Sequence, residues 1–301
     1  MNAVTDLSNI QPDLSHLIAL RQQAAHLQLF SKKTVSTENA DNYASNAYGR
    51  GMDFEEVRIY QPGDDIRNID WRVTARRGTV HTKVFREERE RPVLFYLNVS
   101  DSMRFGTRVA FKSVIAARLC SLLAWAAVER GDRVGGVVVA GEKHGEIKPR
   151  TKQHGVLPLL QTIVEACHWP GHLTSESCRQ HLLRLLKVSK PGALVVLLTD
   201  CYAWDPSCWT VLARISERCQ VNLIHVYDPL EAMPPKPNEY MFTDGLKKIL
   251  LNTQNKKICS LYKDQFEQRK QVMRDHCLKS AVKFTSIATH SDLSTELRNL
   301  Y

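Results

Sequence analysis

Two runs of the chain are apolar almost without interruption, Val93 to Val99 (VLFYLNV) and Ala193 to Thr199 (ALVVLLT), and Val221 to Asp228 (VNLIHVYD) reads as a further strand. A strand with one wet face alternates apolar and polar residues, whereas a strand covered on both faces does not. The runs are short and are separated by segments of helical periodicity. Thr107 to Arg130 reads as a long helix capped by Thr107, with Phe111, Ile115, Leu119, Leu122 and Ala126 on one face and Gly131 as its stop. Helices are also expected near 154–167, 175–188 and 206–218, with strands at 133–141 and, briefly, at GEIKP. This alternation predicts an α/β fold, doubly wound around a mainly parallel sheet. The runs 93–99 and 193–199 are expected to lie side by side and parallel at its centre.

The flanks differ. Upstream, Leu17, Leu20, Ala24, Leu27 and Phe30 recur at helical spacing within 13–30, and a polar stretch, 31–51, reads as a tether. EEVRIY and TVHTKVF alternate as strands do around a short helix, Ile69 to Arg77, with Asn68 or Asp65 as N-cap and Gly78 after it. The division expected is 1–90, an N-terminal helix, tether and small β-rich subdomain, and 91–301, the α/β domain with a basic C-terminal segment. Trp71 is expected to plug the small subdomain against Tyr60 or Ile69. Downstream, a basic helix near 254–278, a strand at 283–289 and a last helix at 291–300 are expected. Residues 246–283 hold 10 Lys and Arg against 3 acids. That charge is either a solvated helix face or a surface for phosphate or an acidic partner.

Several function classes are disfavoured. The start lacks the basic and apolar regions of a signal peptide. The most apolar stretch, between Arg118 and Glu129, is far shorter than the ~20 residues a spanning helix needs. The eight cysteines include no C-x-x-C pair, which argues against a cysteine zinc site and for a reducing compartment. The expectation is a cytoplasmic protein without membrane insertion. There is no G-x-S-x-G elbow, P-loop, H-E-x-x-H or dinucleotide fingerprint, so no catalytic residue is named.

Two clusters carry chemistry. Asn98-Val99-Ser100-Asp101-Ser102-Met103 follows one central strand and Thr199-Asp200 ends another. Ligands of doubly wound sheets bind at the carboxyl ends of strands, where the strand order reverses. Ser100, Ser102 and Asp200 converge there if those strands are neighbours, and oxygen ligands of low charge suit Mg²⁺ or Mn²⁺. The alternative is that the serines cap a turn and Asp200 a helix. In the second cluster, Asp64, Asp65 and Asp70 alternate with Arg67, Arg72 and Arg76. This is either a self-paired capping network or a docking face for a partner.

The strand followed by Ser100 and Ser102, with a later strand ending Leu-Thr-Asp, resembles a von Willebrand factor A domain. The upstream run is more specific: Gly49-x-Gly51-x-x-Phe54-x-x-x-Arg58-x-Tyr60-x-Pro62-Gly63-Asp64-Asp65-x-Arg67-x-Ile69-Asp70-Trp71, then Ala75-Arg76, and later Asp228-Pro229-Leu230-Glu231. It is similar to the bacterial family known as domain of unknown function 58, over roughly 40–300. The resemblance implies a von Willebrand A-like domain behind a small β-rich segment. It also implies a non-enzymatic adaptor working with a MoxR-type AAA ATPase. It carries metal-ligand roles to Ser100, Ser102 and Asp200, with Thr151 as candidate threonine ligand. The family pattern has Asp where this chain has Asn98, so one of two carboxylates is missing and Mg²⁺ or Mn²⁺ should bind weakly if at all. The expected mechanism is a cation on Ser100, Ser102 and Asp200 with one position open for a partner's carboxylate. The expected partner face is Asp64, Asp65, Arg67, Asp70 and Arg76. Rival readings are a metal-assisted phosphoester hydrolase using Asp200 and the 64–70 acids, and nucleic-acid or acidic-partner binding through the basic segment, of which nucleic acid is disfavoured for want of a reading motif.

Overall fold

Side-chain caps and strand burial set the elements. The computed structural model describes residues 7–26, 52–62, 64–87, 91–169, 171–243 and 248–300. The Asp13 carboxylate accepts from the His16 N–H at 2.9 Å and opens α1 (Leu14–Ala19), which passes through Leu20 into α2 (Arg21–His26). Then come β1 (Met52–Ile59), α3 (Trp71–Arg77) and β2 (His81–Glu87). The α/β part follows with β3 (Pro92–Asn98), α4 (Lys112–Glu129), β4 (Arg133–Ala140), β5 (Lys143–Thr151), α5 (Gln153–Ala166), α6 (Ser175–Val188) and β6 (Leu194–Thr199). It continues with α7 (Pro206–Ser216), β7 (Gln220–Tyr227), α8 (Pro229–Ala232), β8 (Glu239–Thr243) and β9 (Lys248–Asn252), and closes with α9 (Lys256–Lys279), β10 (Lys283–Ala288) and α10 (Leu293–Leu300).

Six strands form one sheet in the order β5-β4-β3-β6-β7-β10. All neighbours are parallel except β4 and β5, which are antiparallel at one edge. The runs expected at the centre are there: β3 pairs with β6 in parallel, Val93 opposite Leu194 through Leu97 opposite Leu198. Helices cover both faces, which is why these strands lack alternation. Val93 and Phe95 enter a core with α1, α4 and α5, while Leu94 and Tyr96 enter a second with α6, α7 and α9. This is the von Willebrand A-like arrangement, and its order reverses between β3 and β6.

Four expectations need correction. The chain divides into Lys33–Glu90 and a second unit made of Met1–Lys32 with Arg91–Tyr301, so the N-terminal helix does not group with the small subdomain. Leu17, Leu20 and Ala24 are buried in the α/β core, and the Leu17 carbonyl accepts from the Ser121 hydroxyl at 2.6 Å and the Trp125 indole N–H at 3.3 Å. The tether expected at 31–51 lies outside the described residues. Second, Thr107 does not cap α4; Phe111 is the residue before the helix, and Thr107 is drawn to Asp228 instead. Third, β8 and β9 form a hairpin between Glu239 and Asn252, where no strand is expected from the sequence. Fourth, Trp71 is 67% exposed rather than buried.

The reason for Trp71 is local. Asp70 is the N-cap of α3, its carboxylate accepting from the Arg72 and Val73 N–H groups, which leaves Trp71 on the outside of the first turn. A two-stranded hairpin and a seven-residue helix offer little interior: His81 and Thr82 are the buried side chains among those described in this unit. We expect Trp71→Ala to change unfolding stability by no more than about 0.5 kcal/mol. Trp125→Ala, which empties a core position, should cost about 3–5 kcal/mol in the same denaturant titration.

Candidate functional site at the carboxyl edge of the sheet

The loops after β3, β6 and β7 meet at the carboxyl edge of the sheet, over the point where the strand order reverses. The β3 loop is fixed from within. The Asn98 side-chain oxygen accepts from the Ser100 N–H at 2.9 Å, and the Ser100 hydroxyl oxygen accepts from the Gly141 N–H at 3.0 Å. Gly141 adopts a φ of +60°, and a Cβ built on it would lie 2.7 Å from the Cα of Gly171, so two glycine backbones touch where a side chain has no room. The Gly171 carbonyl in turn accepts from the Asp101 N–H. Asn98, Ser100 and Asp200 are buried and Ser102 is half-buried.

At the centre of the edge stands a residue that sequence reasoning passed over. Lys112, the first residue of α4, is only 1% exposed. Its ammonium donates to Asp200 Oδ2 at 3.0 Å and to Glu231 Oε1 at 2.8 Å. A cation at a helix N-terminus opposes the helix dipole, so a buried lysine there requires carboxylates to hold it. The other oxygen of Asp200 accepts from the Tyr202 N–H, and Ser102 also hydrogen-bonds the carboxylate. Glu231 closes a capping box by accepting from the Asp228 N–H at 2.8 Å. Asp228 is saturated: it accepts from Thr107 N–H and hydroxyl, the Leu230 N–H and the Thr289 hydroxyl. One chain of polar contacts therefore ties the ends of β6, β7 and β10 to the start of α4.

The electrostatics follow. Burial pushes the Asp200 carboxyl up, but the Lys112 ammonium and the bonds from Lys112, Tyr202 and Ser102 outweigh it, so its pKa lies below the usual carboxylate value. Burial pushes the Lys112 pKa down, and Asp200 and Glu231 outweigh that, leaving it raised. Burial raises Asp228 and the Thr107 hydroxyl leads the bonds that bring it below its ordinary value. His225, paired in register with Thr199, is pushed down to about 3, first by burial and then by Arg269. It stays neutral near pH 7 and bonds Ser286, a structural histidine.

The residues assigned to a metal therefore do not fit one. Asp200 would be the only charged ligand, and it already holds an ammonium at 3.0 Å. Asn98 and Ser100 direct their oxygens to backbone N–H groups. Thr151 is remote: at the end of β5 it pairs with Arg133, six residues before Val139, the partner of Asn98, which puts it about 20 Å away at the opposite edge. Among the described residues no group of three or more His, Cys, Asp or Glu is placed to hold a metal ion.

The acidic cluster of the small unit resolves toward capping. Asp64 accepts from the Gln61 N–H and pairs with Arg58 at 2.7 Å; Asp65 accepts from the Arg67 N–H; Asp70 caps α3 and lies 3.6 Å from Lys83. Arg76 and Arg67 are exposed.

With the geometry in view, the comparisons decide the family. The model described as "Protein of unknown function DUF58" matches residues 56–272. The chain belongs to that family. Proteins similar to this DUF58 chain include uncharacterized proteins Mb1516 of Mycobacterium bovis and Rv1480 of Mycobacterium tuberculosis, each 26% identical over 198 residues. Those matches cover 65% of this chain and 62% of the relatives' length. Solved structures with similar architecture include BatB from Bacteroides thetaiotaomicron (15% identity, 69% of this chain and 96% of that one, TM-score 0.44). A von Willebrand factor type A protein from Catenulispora acidiphila matches at 15% identity, 73% of this chain and 43% of that one, with TM-score 0.40. An aerotolerance-related membrane protein from Bacteroides fragilis matches at 17% identity, 69% and 96%, with TM-score 0.45. The cytoplasmic expectation is not kept, since the structures this chain resembles include one described as a membrane protein. No helix among the described residues is long and apolar enough to cross a membrane.

Two outcomes are expected. Lys112→Met leaves the buried Asp200 and the half-buried Glu231 without their cation and should cost about 3–5 kcal/mol in equilibrium unfolding. A carboxylate whose folded pKa is depressed stabilises above its unfolded value and loses that contribution as pH falls through the folded one. Stability should therefore drop below about pH 4, with a shallower acid limb in Asp200→Asn than in the wild type.

Proposed function

We propose that this DUF58 chain is a protein-interaction module that docks its partner on the carboxyl edge of the sheet, and that docking needs no metal ion. The observation that carries the reading is Lys112: a built-in ammonium bonds the carboxylate that a metal-gated site would need. The partner proposed is a MoxR-type AAA ATPase.

The rim of the edge supports a docking role. Phe105 and Val109 in the loop before α4, Tyr202 after β6 and Met233 after α8 are large and exposed. The Arg269 guanidinium lies 4.1 Å from the centre of the Tyr202 ring and donates to the Asp200 carbonyl at 2.8 Å. Aromatic and arginine side chains on a rigid base are the composition of binding hot spots. Rigidity comes from the buried network beneath, so the loops lose little freedom on binding. The phosphoester hydrolase reading has less behind it. Asp200 is held by Lys112, the 64–70 acids serve as caps and ion pairs, and neither the family nor the described residues indicate an enzymatic activity.

Binding of this chain to a purified, nucleotide-free MoxR-type ATPase, measured with Mg²⁺ and with EDTA, tests the reading. Equal affinity in both is expected, with more than about tenfold weakening in Tyr202→Ala combined with Phe105→Ala. Loss of binding in EDTA, or a rim variant that binds like the wild type, would contradict it.

A further inference from the structure

Between α8 and α9, β8 and β9 form a two-stranded antiparallel hairpin outside the main sheet. Met241 and Leu250 sit directly opposite each other on one face and are 66% and 62% exposed. The next pair on that face, toward the turn, is Thr243 and Lys248. Ile249, 64% exposed, projects from the other face, opposite Phe242. The aliphatic side chains thus form a ridge, not a flat pad or a groove.

Exposed lysines flank this ridge at both ends. Lys248 stands at the turn end. At the base, Lys236 is held by its carbonyl, which accepts from the Tyr240 and Thr253 hydroxyls, and Lys256 and Lys257 open α9 just after β9. The one acid of the hairpin's described residues, Glu239, accepts from the Asn252 amide at 3.0 Å. Aliphatic residues between lysines, with no exposed aromatic or arginine anchor, are unlike a protein hot spot, where lysine is depleted. They match what an anionic bilayer surface attracts: apolar side chains that enter the headgroup boundary and ammonium groups that meet lipid phosphate.

We propose that the β8–β9 hairpin is a peripheral contact with anionic membrane surfaces, entered by Met241, Ile249 and Leu250 and oriented by Lys236, Lys248, Lys256 and Lys257. This does not rest on the partner reading, because the residues that carry it differ from those of the rim.

Flotation of the full chain with vesicles of phosphatidylcholine alone, or mixed with phosphatidylglycerol, tests it. Binding is expected to the mixed vesicles only, falling with added salt. Lys248→Glu with Lys257→Glu should weaken it by at least about fivefold for each lysine replaced. Met241→Ser with Leu250→Ser should weaken it by more than tenfold, roughly what losing two buried aliphatic groups implies. Both pairs are exposed, and an unchanged melting temperature confirms that the variants fold. A soluble acidic polypeptide, poly-glutamate, is the control. No binding to the mixed vesicles overturns the proposal. So does binding untouched by the Met241 and Leu250 changes, and so does poly-glutamate bound by the wild type as tightly as the mixed vesicles.

Discussion

A buried ammonium between two carboxylates organises the carboxyl edge of this protein's sheet. Lys112 enters the α4 N-terminus, where the helix dipole disfavours it, and Asp200 and Glu231 compensate. The three groups come from the start of α4, the end of β6 and the short α8 after β7. Each would be costly to bury alone, and together they hold only in one arrangement of those segments. Glu231 then fixes Asp228, and Asp228 gathers Thr107 and Thr289. The loop before α4 and the end of β10 are thus set by the same network that holds Asp200.

This arrangement changes how a von Willebrand A-like edge works. A divalent cation on such an edge joins the loops only when it is bound, so it can act as a gate. A lysine joins them permanently and brings one positive charge instead of two. Its partners also differ in geometry: an ammonium donates to two or three oxygens at hydrogen-bond distance and leaves no open coordination position. The exposed Tyr202, Phe105 and Val109 stand on a base that is already assembled.

The sheet was legible because burial on both faces erases alternation, and VLFYLNV and ALVVLLT state that burial directly. Their adjacency followed from the same feature. Ser100 and Asp200 do stand at the carboxyl edge, but the Ser100 hydroxyl turns to the Gly141 N–H and the Asp200 carboxylate to Lys112. What failed was chemistry that depends on a third element. Nothing near Lys112 in sequence reveals Asp200 and Glu231, 88 and 119 positions away. A signal did exist: a lysine opens a helix whose following residues are almost all buried, at the end where a cation is disfavoured. Thr151 lies at the far edge because β5 runs antiparallel to β4 and ends there, a direction that GEIKP does not state. Trp71 was misread because a large indole suggests a core, and this small unit has almost none to offer.

Titration calorimetry with Mg²⁺ is the most direct measure of whether Lys112 stands where a cation would. It should be run on the wild type and on the Lys112→Ser, Asn98→Asp double variant, with folding of both checked by circular dichroism. The account predicts no binding heat from the wild type and a saturable, one-to-one heat from the double variant, in which the ammonium is gone and the second carboxylate restored. Saturable Mg²⁺ binding by the wild type that disappears in Asp200→Asn would contradict it.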